Sequence, residues 1–96
     1  MAVEHVVFLK LKQMNSEEWR TISETFHGMK NKIPGILDMS IGSNFNAERN
    51  KGFTHALRVK FQDEQSLQKY ADHPLHLHFK KLLVHESDPI CLDWKC

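Results

Sequence analysis

The chain has 96 residues, 41% of them hydrophobic, with 13 Lys and Arg against 12 Asp and Glu and a formal net charge of +1. That length and mix suit one folded domain over residues 1–96, and a near-neutral balance without a basic run argues against a nucleic-acid partner. The opening MAVEHVVFLKLK is too charged for a signal peptide, no stretch reaches membrane-spanning length, and Cys91 and Cys96 are too few for a disulfide framework. A cytoplasmic protein with free thiols and no membrane contact is expected.

Residues 4–12 (EHVVFLKLK) predict a first strand with His5, Val7, Leu9 and Leu11 on one face and Val6 and Phe8 on the other. Apolar residues on both faces suggest that a second molecule covers the side without helices, which predicts a homodimer. Asn15 and Glu18 have capping-box spacing, and Trp19, Ile22, Phe26, Met29 and Ile33 recur at helical period, so a first helix is expected to about Lys32. Pro34 and Gly35 lead into a second strand over 36–42, followed by the polar loop SNFNAERNKG. Residues 53–61 alternate as a third strand, with Phe53, His55, Leu57, Val59 and Phe61 sharing a face. Asp63 can cap a second helix carrying Leu67, Tyr70 and Ala71. Pro74 suits the first turn of a third helix, and PICLDW, residues 89–94, makes a last short strand.

This βαββαβ order predicts an α+β, ferredoxin-like domain: a four-stranded antiparallel sheet with its helices on one face and the first and third strands central. His5 and His55 then lie on neighbouring strands, facing the helix layer. The segment YADHPLHLHF, residues 70–79, adds Tyr70 and three histidines. Tyrosine can donate to a developing oxyanion and histidine can move protons near neutral pH. Tyr70, His76, His5 and His55 are expected to converge beside apolar strand faces as a small-molecule pocket. A plainer reading of each stands beside this one: His76 as a helix-surface residue, His5 and His55 as core histidines with a hydrogen-bond partner, and Tyr70 as an amphipathic core residue. No metal is expected, because His76 and His78 point about 160° apart on one helix and no Cys pair or His-Glu-x-x-His pattern completes a set.

The segments HVVFLKLK, IPGILD, GFTHALRVKF and the HPLH after Tyr70 stand where members of the stress-responsive dimeric α/β-barrel (Dabb) family have similar residues. The chain resembles that family over nearly its whole length, and within it the plant polyketide cyclases. The resemblance implies sheet-to-sheet homodimers closing a dimeric barrel. It also implies a cofactor-independent aldol-type ring closure of a linear poly-β-keto thioester or acid, with a polyketide synthase as the possible supplier. His76 and Tyr70 stand at the catalytic positions, His5 and His55 at supporting ones, and Phe26, Leu9 and Val59 at the substrate wall. Phe26 with His27 and Lys30 nearby, and His78 in place of a small residue, imply an altered tail pocket. The alternative is a non-catalytic dimeric stress-responsive protein that binds a small apolar ligand.

Overall fold

The computed structural model describes all of residues 1–96. Alternating apolar residues make Val3–Leu11 the first strand, β1. Asn15 then starts α1, Ser16–Gly28: its side chain accepts from the Glu18 amide at 2.8 Å, while its own amide donates to the Glu18 carboxylate at 3.1 Å. The helix ends earlier than its apolar period suggested. Met29 donates back to the Phe26 carbonyl and Ile33 to that of Met29, so residues 29–33 bury Met29 and Ile33 in tight turns. The remaining elements are β2, Ile36–Ser43; β3, His55–Phe61; α2, Glu64–Asp72; α3, Pro74–Leu82; and β4, His85–Lys95.

The sheet order is β2-β3-β1-β4, antiparallel throughout, with β1 and β3 central as expected. The fold is ferredoxin-like. Helices cover one face, and the core lies between: Val3, Leu9 and Leu11 of β1, Leu57, Val59 and Phe61 of β3, and Ile22, Phe26, Tyr70 and Phe79 of the helices. Phe26 meets Phe79 at 5.1 Å between ring centroids, and Phe61 meets Tyr70 at 5.0 Å. Apolar burial of this kind is the main favourable term in folding.

Two boundaries differ from the sequence reading. β4 begins at His85 rather than Pro89 because it continues to pair with Lys10 and Leu11 of β1 past an irregularity in register. Pro89 is tolerated there because β4 is an edge strand and the shifted register spares it a ladder bond. Phe53 lies outside β3 and packs against Phe8, at 5.8 Å, under the Lys10 ammonium, so it does not share the inner face with His55.

The outer face of the sheet carries no helix. Register places Glu4, Val6 and Phe8 of β1 beside Trp94, Leu92 and Ile90 of β4, and Phe8, Ile90, Leu92 and Trp94 are 39%, 46%, 56% and 50% exposed. Next to this apolar band, Arg58 donates from Nε and Nη2 to Glu4 at 3.0 and 2.9 Å and from Nη1 to Asp38 at 2.9 Å, tying three strands together. The Arg58 Nη1 bond pushes the Asp38 carboxyl below its ordinary value.

Candidate active site

α2 and α3 meet at a sharp bend, and that bend brings the first two functional groups together. His73 ends α2 in an extended conformation, and its Nδ1 accepts from the Leu75 amide at 3.1 Å, so it caps α3 while Pro74 occupies the first helical turn. Tyr70 in the last turn of α2 and His76 in the first turn of α3 therefore stack at 4.0 Å between ring centroids. His76 Nδ1 donates to the Ala71 carbonyl at 3.1 Å. A carbonyl only accepts, so the neutral ring carries its proton on Nδ1 and leaves the Nε2 lone pair free. Burial holds the His76 pKa below its ordinary 6.5, despite the opposing Ala71 bond.

Tyr70 is 1% exposed, and its hydroxyl has no hydrogen-bond partner. Burial first, and the nearby Cys91 second, push that hydroxyl well above its ordinary pKa, which keeps it a donor. A buried hydroxyl left unpaired costs about 1–3 kcal/mol, and an oxygen placed against it would recover that cost.

β1 supplies the third group. The His5 ring lies 6.0 Å from that of Tyr70, edge to face. Its Nδ1 contacts the Asp93 carboxylate of β4 at 2.5 Å, and Cys91 Sγ lies 3.5 Å from the same nitrogen. Asp93 and Cys91 were not singled out from the sequence. Period-two alternation places them on one face of PICLDW, but only the β1–β4 register puts Asp93 opposite His5.

His55 does not join this group. It pairs with Leu9, four residues along β1 from His5, which is about 13 Å at strand rise. There it stacks on Trp19 at 4.7 Å. The Thr54 hydroxyl donates to the Leu9 carbonyl at 3.2 Å and accepts from the Leu11 amide at 2.9 Å, so His55 Nδ1 donates to Thr54 Oγ1 at 2.7 Å and its Nε2 is free. Burial lowers its pKa as well. His55 lines a groove of ≈ 650 Å³ with Phe8, Phe53 and Arg49, and a second of ≈ 490 Å³ with Trp19 and Met14. Neither groove reaches Tyr70 or His76.

The residues expected to wall a pocket are packed instead. Phe26 and Val59 are fully buried and Leu9 is 2% exposed, all within the core cluster. Their apolar character was read correctly, but they fill the interior rather than line an opening.

An antiparallel four-stranded sheet with three helices on one face defines a ferredoxin-like α+β domain, here with a Tyr-His-His-Asp cluster at one end. The family model of the stress responsive A/B barrel domain matches residues 3–96, and the chain belongs to that family. It is 30% identical to the olivetolic acid cyclase of Cannabis sativa, over 93% of this chain and 98% of that protein. Among solved structures, a dimeric ferredoxin-like protein of unknown function from Jannaschia sp. superposes with a TM-score of 0.84 at 19% identity, over the whole of both chains. The hydroxynitrile lyase from Passiflora edulis superposes with the same TM-score at 23% identity, over 97% of this chain and 91% of that one. No helix of the chain is long and apolar enough to cross a membrane.

Proposed function

We propose that the protein is a cofactor-independent acid–base enzyme that closes a ring in a linear poly-β-keto thioester or acid. The observation that carries this reading is the buried, unpartnered Tyr70 hydroxyl stacked against a His76 whose Nε2 is free. In the proposed step, His76 Nε2 takes the acidic proton between two carbonyls while Tyr70 donates to the enolate oxygen. The enolate carbon then attacks a distant carbonyl of the same chain, and the proton on His76 returns to the new alkoxide. His5, held by Asp93, orients the chain beside Tyr70, its Nε2 accepting from an enol hydroxyl of the poly-β-keto substrate. The likeness to olivetolic acid cyclase supports this choice over other proton-transfer chemistry. His55, at the far end of the inner face, is assigned to the remote part of the chain, with Phe26, Leu9 and Val59 giving way to admit it. A synthase releasing a reactive poly-β-keto chain is the matching source. A cytoplasmic setting accords with two exposed free thiols.

Rate should follow the neutral fraction of His76. Because burial lowers its pKa, the acid limb of kcat is expected to have its midpoint below pH 6.5. An acid limb with its midpoint at or above pH 6.5 would remove His76 as the base.

The proposed active form is a homodimer paired through the outer sheet face, a reading supported by the exposed Phe8, Ile90, Leu92 and Trp94 and by the dimeric Jannaschia protein. Sedimentation at micromolar concentration should give a dimer. Leu92→Asp should weaken it by roughly thirtyfold or more, the effect of one hot-spot residue. A monomeric wild-type chain would end the barrel proposal.

One observation favours the second reading, a non-catalytic dimer that takes up a small apolar ligand. Leu9, Phe26 and Val59 are fully packed into the core that also holds Tyr70, where a cyclase needs room for its substrate. Turnover of a linear tetraketide thioester decides between the two.

A further inference from the structure

His5, Cys91 and Asp93 lie together on the inner sheet face where β1 meets β4, a different set from the His73, His76 and His78 weighed for a metal in the sequence. One donor atom of each lies within 4.8 Å of the others. Their separations are 2.5 Å from His5 Nδ1 to Asp93 Oδ1, 3.5 Å from Cys91 Sγ to the same nitrogen, and 3.9 Å from Sγ to each carboxylate oxygen. We propose that these three residues bind a thiophilic divalent cation of the zinc class, through one nitrogen, one sulfur and one oxygen, with a fourth position facing solvent.

The donor geometry suits this ion. Metal–ligand bonds of about 2.0–2.3 Å place tetrahedral ligands about 3.3–3.6 Å apart, near the 3.5 and 3.9 Å that separate sulfur from the nitrogen and the carboxylate oxygens. The nitrogen–oxygen distance is shorter because a proton lies between the two atoms. A cation replacing that proton requires Asp93 to withdraw by about 1 Å, and its side chain, 42% exposed, is free to do so. The same geometry argues against an activated nucleophile. Cys91 and Asp93 meet the same His5 nitrogen, so the imidazole cannot pass a proton from one to the other as it does in a triad. The Asp93 carboxylate, 3.9 Å from the sulfur, also favours a divalent cation at this position.

Binding requires the Cys91 thiolate and an unprotonated His5 Nδ1, so the Cys91 proton goes to solvent and His5 carries its ring proton on Nε2. The resulting set of thiolate, carboxylate and neutral imidazole is charge-balanced against a dication. His5 Nε2 would change from an acceptor into a donor, 6.0 Å ring to ring from Tyr70. The site shares His5 and Asp93 with the cyclase reading, but its test reads binding alone, so either can fail without the other.

The experiment titrates the metal-free full-length chain with Zn²⁺ by calorimetry and with Co²⁺ by absorption. One equivalent of Zn²⁺ per chain and a thiolate-to-cobalt charge-transfer band are expected. Cys91→Ser should abolish the band, and Cys91→Ser and Asp93→Asn should each weaken Zn²⁺ binding on the order of tenfold or more. Cys96→Ser and His78→Gln should change neither readout. A Co²⁺ spectrum without the band, a band that survives Cys91→Ser, Zn²⁺ binding indifferent to Asp93→Asn, or loss of binding in Cys96→Ser or His78→Gln would each overturn the site.

Discussion

His76→Ala is expected to slow ring closure of linear tetraketide thioesters by about 10²–10⁴-fold, the usual contribution of a positioned general base, while leaving the fold intact. His76 is half-buried at the start of α3, and its one hydrogen bond is to the Ala71 carbonyl near the end of α2. Its loss therefore removes the free Nε2 without opening the Phe26–Phe79 core. Tyr70→Phe separates chemistry from stability more sharply. If the hydroxyl holds the enolate, its removal should cost roughly 2.7–4 kcal/mol in the barrier. The folded chain should be no less stable, because the hydroxyl has no partner to lose and its unpaired burial is itself unfavourable. Kinetics with tails of several lengths, alongside thermal melts, measure both effects. A fully active His76→Ala would sink the mechanism, and a wild-type protein that alters no product distribution would sink the cyclase.

The other large effect lies away from the site. Gly35 adopts φ +93°, and a Cβ added there would stand 2.2 Å from Ser66 Oγ and 2.5 Å from Ser66 Cβ. Ser66 cannot retreat easily: its amide and hydroxyl both bond to the Asp63 carboxylate that caps α2, at 2.8 and 2.7 Å. The Gly35 carbonyl is also held by the Gln62 amide at 2.9 Å. Gly35→Ala thus combines a left-handed backbone penalty of about 1–2 kcal/mol with an overpacking cost of about 1–3, for an expected loss of about 2–5 kcal/mol. Gly28→Ala is the control, since a Cβ there meets nothing within 4 Å and the residue closes α1. Urea midpoints should fall for the first variant and hold or rise slightly for the second.

Local signals carried much of this structure. The capping box at Asn15 and Glu18, the Asp63 cap and the helix opened by Pro74 depend on residues a few positions apart, and all three form as read. The pairing of Tyr70 with His76 belongs to the same kind, because one bend between two helices brings six residues of chain together. His55 shows the limit of alternation, which assigns a residue to a face but says nothing of its distance along the strand. Asp93 was beyond reach because its position opposite His5 depends on pairing across 88 residues, past the irregularity beside Pro89. Phe26, Leu9 and Val59 illustrate a third limit: apolarity is shared by residues that line a cavity and residues that fill it.

β4 is exposed along its whole length, and its alternation gives neighbouring residues different tasks. Trp94 and Leu92 look outward, whereas Asp93, between them, reaches His5. An edge strand held on one side only is free to fray, and each excursion would carry the Asp93 carboxylate away from its imidazole. Pairing of two chains through Trp94 and Leu92 would damp that motion from behind. Turnover per chain is therefore expected to depend on protein concentration, declining on dilution as dimers dissociate.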